Sequence, residues 1–179
     1  MALGFGALLL MLRSDLRAEA AIDEYQVKAA FLYNFAKFVE WPVGAFAQSK
    51  ERIVIGLFRD DPFHGLLDEI LRGKTAHGRA FQVRKVRDVK DIEGCHILFF
   101  PASSPGDVSR VAGSTGIGGI LTVGEQEHFA EEGGMINFVM ANNRVRFEIN
   151  PDTIQRSGLK VSSRLLSLAH LVQRRPSGN

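Results

Sequence analysis

Three short apolar runs constrain this chain more than any other feature: Ile53 to Phe58, Cys95 to Phe100 and Gly119 to Val123. Each is too short for a buried helix. Each is flanked by charge, Gly or Pro, as a strand covered on both faces would be. Amphipathic segments separate them. Asp60-Asp61-Pro62 introduces Phe63, Leu66, Leu67, Ile70 and Leu71 at helical spacing, with Pro62 near the first position and Gly73 as the stop. Pro105 to Ala112 reads as another helix, Val89 to Glu93 as a single turn, and Gln126 to Glu132 as a short helix closed by Gly133-Gly134. Ala80 to Val86 alternates Phe81, Val83 and Val86 with polar residues and reads as a strand. Alternating strands and helices predict an α/β fold: a single three-layer domain with a mostly parallel sheet and helices on both faces.

Either side of this pattern the chain changes character. Tyr25 to Trp41 places Val27, Ala30, Phe31, Asn34, Phe35 and Phe38 at spacings of three and four, which predicts an amphipathic helix with a Phe-rich core stripe. Asp23 and Gln26 form a candidate capping box, and Pro42 ends the helix. Met135 to Met140 and Arg144 to Ile149 flank Ala141-Asn142-Asn143, which predicts a C-terminal antiparallel hairpin closing one sheet edge. Pro151 to Ser157, ended by Gly158, and Ser162 to Gln173 read as the last two helices; the latter has Leu165, Leu166, Leu168, Ala169 and Val172 as its apolar side.

The N-terminus reads as a leader rather than as part of the fold. Ala2 to Leu12 is an unbroken apolar or glycine run, followed by Ala18-Glu19-Ala20. A run of 11 residues is too short to span a bilayer, which takes about 20. A short apolar segment before a small-x-small triplet is the pattern of a secretory signal peptide, so residues 1–20 are expected to be removed near Ala20, residues 21–175 to form the domain and 176–179 a polar tail. Export permits disulfides, yet Cys95 is the only cysteine, so no internal disulfide can form. Its place at the head of an apolar run predicts burial.

The chemistry of the chain is restrained. A net charge of +2, with no dense basic run, gives no nucleic-acid surface. The five histidines lack metal-ligand spacing, and the glycines of Gly113 to Gly119 precede a strand, whereas a phosphate loop follows one. No nucleophile–base pair stands out. The residues thus suggest a binding or regulatory domain without cofactor or metal, not an enzyme. Two places could bind. The first is the crevice at the strand carboxyl ends, carrying Arg59-Asp60-Asp61, Pro101-Ala102-Ser103-Ser104 and Gly124-Glu125, where open α/β sheets receive small ligands. Ser103 and Ser104 there read either as N-caps or as anion contacts. The second is a C-terminal constellation. Arg144, Arg146 and Glu148 share one face of a strand, and Ser162, Ser163 and Arg164 begin a helix. These residues form either a solvated edge with an N-cap or a polar cluster that pins hairpin to helix or faces a partner.

Three segments carry a family resemblance: VKAAFLYNFAKFVEWP (Val27 to Pro42), CHILFF (Cys95 to Phe100), and GGMINFVMANNRVRFEIN with GLKVSSRLLSLA (Gly133 to Ala169). In these the chain resembles the YfiR-like (HmsC-like) family of exported bacterial proteins. The resemblance implies a periplasmic protein that restrains a membrane-bound diguanylate cyclase through the cyclase's periplasmic sensory domain, lowering cyclic di-GMP and biofilm formation. It also implies a compact α/β fold that tends to form a homodimer. Family members often carry further cysteines whose disulfides tie redox state to function; with Cys95 alone, an internal redox bridge is ruled out here.

Overall fold

The computed structural model describes residues 23–46, 52–112 and 118–173. A first helix, α1, covers residues 23–38 and runs directly into strand β1 (Val39–Glu40). Then follow β2 (Arg52–Phe58), α2 (Leu66–Leu71), β3 (Thr75–Ala76), β4 (Arg79–Val86), a 3-10 turn (Val89–Asp91), β5 (Ile97–Phe100) and α3 (Asp107–Ala112). The second half comprises β6 (Leu121–Gly124), β7 (Ile136–Ala141), β8 (Arg144–Ile149), α4 (Pro151–Arg156), β9 (Lys160–Val161), α5 (Ser163–Leu166) and β10 (His170–Leu171).

Eight strands form one mixed sheet in the order β10-β8-β7-β6-β5-β2-β4-β3, and β1 pairs with β9 in a separate antiparallel ribbon. The central neighbours β4, β2, β5, β6 and β7 run parallel, as the continuous apolar runs predict. Alternation along each strand sends residues to two separate cores. Ile53, Ile55 and Leu57 of β2, with Ile97 and Phe99 of β5, face α1, α2, α4 and α5. Val54, Phe58, Leu98 and Phe100 face α3 and the 3-10 turn. The α/β architecture with helices on both faces therefore stands. Each fully buried Phe or Leu of these layers contributes about 1.5–3 kcal/mol over its exposed state.

The buried face of α1 is Ala29, Leu32, Phe35 and Ala36, continuing to Val39. It is rotated from the expected stripe: Val27 is 43% exposed, Ala30 is exposed, and Phe31 and Phe38 pack only at the margin. The helix also ends three residues before Trp41, because Val39 and Glu40 leave it to pair with β9. Asp23 is already helical, so it is not the N-cap.

Several local expectations yield to tertiary pairing. Residues 62–65 form turns and α2 starts only after Gly65, with the Asp61 carboxylate accepting from the Phe63 and Gly65 amides. Residues 127–133 form consecutive turns rather than a helix. Phe129 lies at their centre, held so closely that a Cβ on Gly124 or Gly134 would stand 2.5 or 2.2 Å from its ring; only glycine fits either position. The last helix is the largest correction. It ends at Leu166, and His170–Leu171 instead run parallel to β8. The hairpin β7–β8 exists as expected, turning through Asn142 and Asn143 at positive φ, but β10 lies outside it, so it does not close the edge. The serines at 103 and 104 are not N-caps, since α3 begins at Asp107. Cys95 is buried, as expected, and burial pushes its thiol pKa up. The proposed leader, the tail and residues 113–117 lie outside the described residues.

Candidate functional site

The chain leaves β2 towards β4 on one side and places β5 and β6 on the other, so the order reverses between β2 and β5. Connections depart in opposite directions there and open a crevice at the strand carboxyl ends. Three chain ends meet at it. Arg59, in the left-handed region at φ 64°, and Asp60 follow β2; Pro101 to Gly106 follow β5; Glu125 and Gln126 follow β6.

Lys28 of α1 is buried there, only 4% exposed. A buried ammonium needs compensating charge, and Glu24 and Glu125 supply it, the latter at 2.5 Å. The Glu125 side chain is itself 4% exposed and accepts from the Tyr25 hydroxyl and the Ala102 amide, both at 3.0 Å. The Lys28 ammonium also sits 4.6 Å from the Tyr25 ring centroid. Desolvation, reinforced by the Glu125 charge, pushes the Tyr25 hydroxyl far above the usual phenol range, so it acts as a fixed donor. The Gln126 amide ties the loop after β5 by donating to the Pro101 and Ser104 carbonyls at 2.9 and 2.6 Å.

Towards the mouth, the Ser103 hydroxyl donates to Asp60 at 2.6 Å. Asp107 is 7% exposed and lies between two half-exposed guanidiniums, Arg110 at 2.7 Å and Arg59 at 3.3 Å. Ser104 Oγ is buried with no hydrogen-bond partner. The crevice is thus walled by paired charges with a hydroxyl left over. No nucleophile–base pair is assembled from these contacts.

The C-terminal candidates fall into two groups. Arg146 is exposed and Glu148 half-buried on β8, opposite Val139 and Asn137; the Asn137 amide approaches the Glu148 carboxylate at 3.4 Å. Ser162 caps α5, its Oγ accepting from the Leu165 amide, while its own N–H donates to the Phe38 carbonyl at 3.0 Å. Ser163 and Arg164 are exposed, and the Arg164 guanidinium lies 5.7 Å from the Phe38 ring centroid. No ion pair among the described residues joins Arg146, Glu148 and Arg164. The hairpin meets α1 instead through Phe138 and Phe147, whose rings lie 5.7 and 5.2 Å from Phe35.

Sequence reasoning passed over Lys28, Tyr25, Gln126 and Asp107. The one available signal was Lys28 itself, a cation between the apolar positions of α1. Its partner Glu125 is 97 positions away, a distance no local pattern can bridge.

No helix among the described residues is long and apolar enough to cross a membrane. No curated protein matches the chain. Among solved structures, the chain is similar to the ABC domain in complex with L-Trp from Streptococcus pneumonia, at 11% identity and a TM-score of 0.42, over 67% of this chain. It spans 55% of that structure's length, and a likeness this loose carries no argument. The family comparison is of another kind: residues 25–170, including α1 from Tyr25 onward, the sheet from β2 to β8 and all of the crevice residues but Glu24, match the YfiR/HmsC-like family, and the chain belongs to it.

Proposed function

We propose that this protein is a periplasmic regulator that binds and represses a membrane-bound diguanylate cyclase, lowering cyclic di-GMP and biofilm formation. The observation that carries the reading is the family match over residues 25–170; the family is regulatory rather than catalytic and supports a periplasmic regulator of diguanylate cyclase at the level of the family. In this reading the leader is removed near Ala20 and the domain works as a homodimer. Repression operates by population shift: the regulator binds the inactive state of the cyclase's periplasmic domain more tightly, and its release moves the equilibrium to activity. Arg146, Glu148, Ser162, Ser163 and Arg164 are the proposed docking residues; the exposure of Arg146, Ser163 and Arg164 supports this.

The decisive experiment measures cellular cyclic di-GMP with the gene deleted and then restored. A rise on deletion, reversed only by the exported form, is expected; an unchanged level sinks the reading. Changing Arg146, Glu148 and Arg164 to Ala should weaken cyclase binding while leaving the melting temperature close to that of the parent. Unfolding of each variant would instead give these residues a structural role.

A second reading rests on the crevice, where Ser104 Oγ and the paired Asp107 line a switch point: a small periplasmic ligand binds there and tunes partner affinity. A thermal-shift screen across amino acids, nucleotides and cell-wall fragments tests it, since a ligand of the folded state raises the midpoint. A flat response across all three classes removes this reading.

A further inference from the structure

The two sheet edges are unequal. At one end β10 is two residues long. At the other, β4 is eight residues long, and β3 covers only Arg79 and Ala80. The Arg59 amide donates to the Val86 carbonyl at 2.7 Å, so Val86 directs its backbone groups towards β2. Alternation along a parallel ladder gives Arg84 and Gln82 the same direction and turns the N–H and C=O of Val83 and Lys85 outward, beyond the end of β3. No strand among the described residues pairs with them.

Beside this open edge, between α2 and β4, runs a groove of about 560 Å³. Leu71, Phe81 and Val83 give it an apolar floor, while Asp68, Arg72 and Lys74 stand at its sides. Phe81 and Val83 are half-buried and point to the α1 face, so the groove lies where alternate side chains of an added strand would fall. Around it cations outnumber the single lining carboxylate, Asp68. Arg72, Lys85 and Arg87 are exposed and enter no ion pair among the described residues.

We propose that the outer edge of β4 docks an extended acidic segment of a partner protein, which joins the sheet as an added strand. Main-chain bonds to Val83 and Lys85 supply affinity; apolar side chains in the groove and carboxylates on Arg72, Lys85 and Arg87 supply selectivity. The same cations disfavour edge-to-edge pairing with a second copy, because identical charges would face one another. This site is separate from the crevice and from the C-terminal candidates, and it holds whether or not the partner is a cyclase.

The test uses the purified full chain and three short peptides: a Val/Glu peptide with Thr at every second position and, on the intervening face, Val at the centre and Glu at both ends; the same peptide with Lys in place of Glu; and the Val/Glu peptide N-methylated at every second amide. The Val/Glu peptide should bind and slow hydrogen exchange at the Val83 and Lys85 amides by about tenfold or more. The other two should bind at least about tenfold more weakly, the loss expected when an ordered set of backbone bonds or charge contacts is removed. Val83→Pro should abolish binding without unfolding the chain, since that N–H faces away from the ladder and proline is tolerated on edges. No binding of the Val/Glu peptide overturns the proposal. So does equal binding of the methylated or lysine peptide, or a dimer of the free chain that Val83→Pro dissociates. Should Val83→Pro fail to fold, the methylated peptide decides the matter on the unaltered protein.

Discussion

At the carboxyl ends of the strands, Lys28 is buried as a cation between Glu24 and Glu125. At the amino ends, His96 is buried as a neutral ring, 1% exposed, stacked 4.3 Å from Phe46 with Trp41 at its edge. Its Nδ1 accepts from the Val54 amide at 3.0 Å. Burial, opposed by a backbone hydrogen bond to Ala45 and reinforced by the Arg79 charge, lowers the His96 pKa to about 4. Both sites join α1 and its extension to the sheet. One does so by pairing charge and the other by refusing it. The difference teaches that the carboxyl end fails when a partner is removed, whereas the amino end fails when a proton is added.

The contrast is broken most directly at Glu125. Glu125→Ala strands a buried ammonium with one partner, and chemical denaturation should show a loss of about 3–5 kcal/mol. Adding Lys28→Met should recover most of it, because an apolar side chain no longer needs compensation. A loss below about 1 kcal/mol would mean that the pair is solvated like a surface bridge.

His96 tests the other end. Its folded pKa lies below the unfolded value near 6.5, so its contribution is present above pH 6.5 and is lost as pH falls towards 4. That window should remove about 2–3 kcal/mol in urea titrations, and His96→Gln should flatten the slope there. An unchanged slope in the variant would assign the acid sensitivity to carboxylates instead.

The smallest effect sharpens the comparison at a half-way point. His77 Nε2 lies 3.0 and 3.1 Å from the Ala36 and Val39 carbonyls, closing the end of α1 from the β3–β4 turn. Ring nitrogen facing two carbonyls must carry the proton. His77→Ala should cost about 1 kcal/mol, read as a small drop in melting temperature with the His96 pH slope retained.

Legibility in the sequence followed the range of the forces involved. The strands Arg52–Phe58 and Ile97–Phe100 were readable because burial on both faces demands unbroken apolar runs. The hairpin turn at Asn142-Asn143 was readable because few residues accept positive φ. The stretch after Leu166 was not, since Leu168, Ala169 and Val172 suit a helix as well as a strand, and the open flank of β8 settled the choice. Strands of two residues, such as β1, β3, β9 and β10, exist only through their partners. The crevice was legible as a place, from the rule for open sheets, and so were Arg59, Asp60, Ser103, Ser104 and Glu125 at its walls; Tyr25, Lys28, Gln126 and Asp107 were not. Lys28 reads by type as a solvent-facing cation, and the constellation of Arg146, Glu148 and Arg164 reads as a cluster although their side chains form no ion pair.

The sequence by itself determined the alternating α/β order, the parallel centre of the sheet, the Asn-Asn hairpin, the burial of Cys95 and the family. Those follow from periodicity, turn chemistry and motif, all of which act over a few residues. Tertiary structure alone decided the rotation of α1, the strand at His170–Leu171, the pairing of Lys28 with Glu125 and the open edge of β4. Each of these depends on which distant backbone or charge stands alongside, and that is set when the sheet assembles rather than by any local stretch of chain.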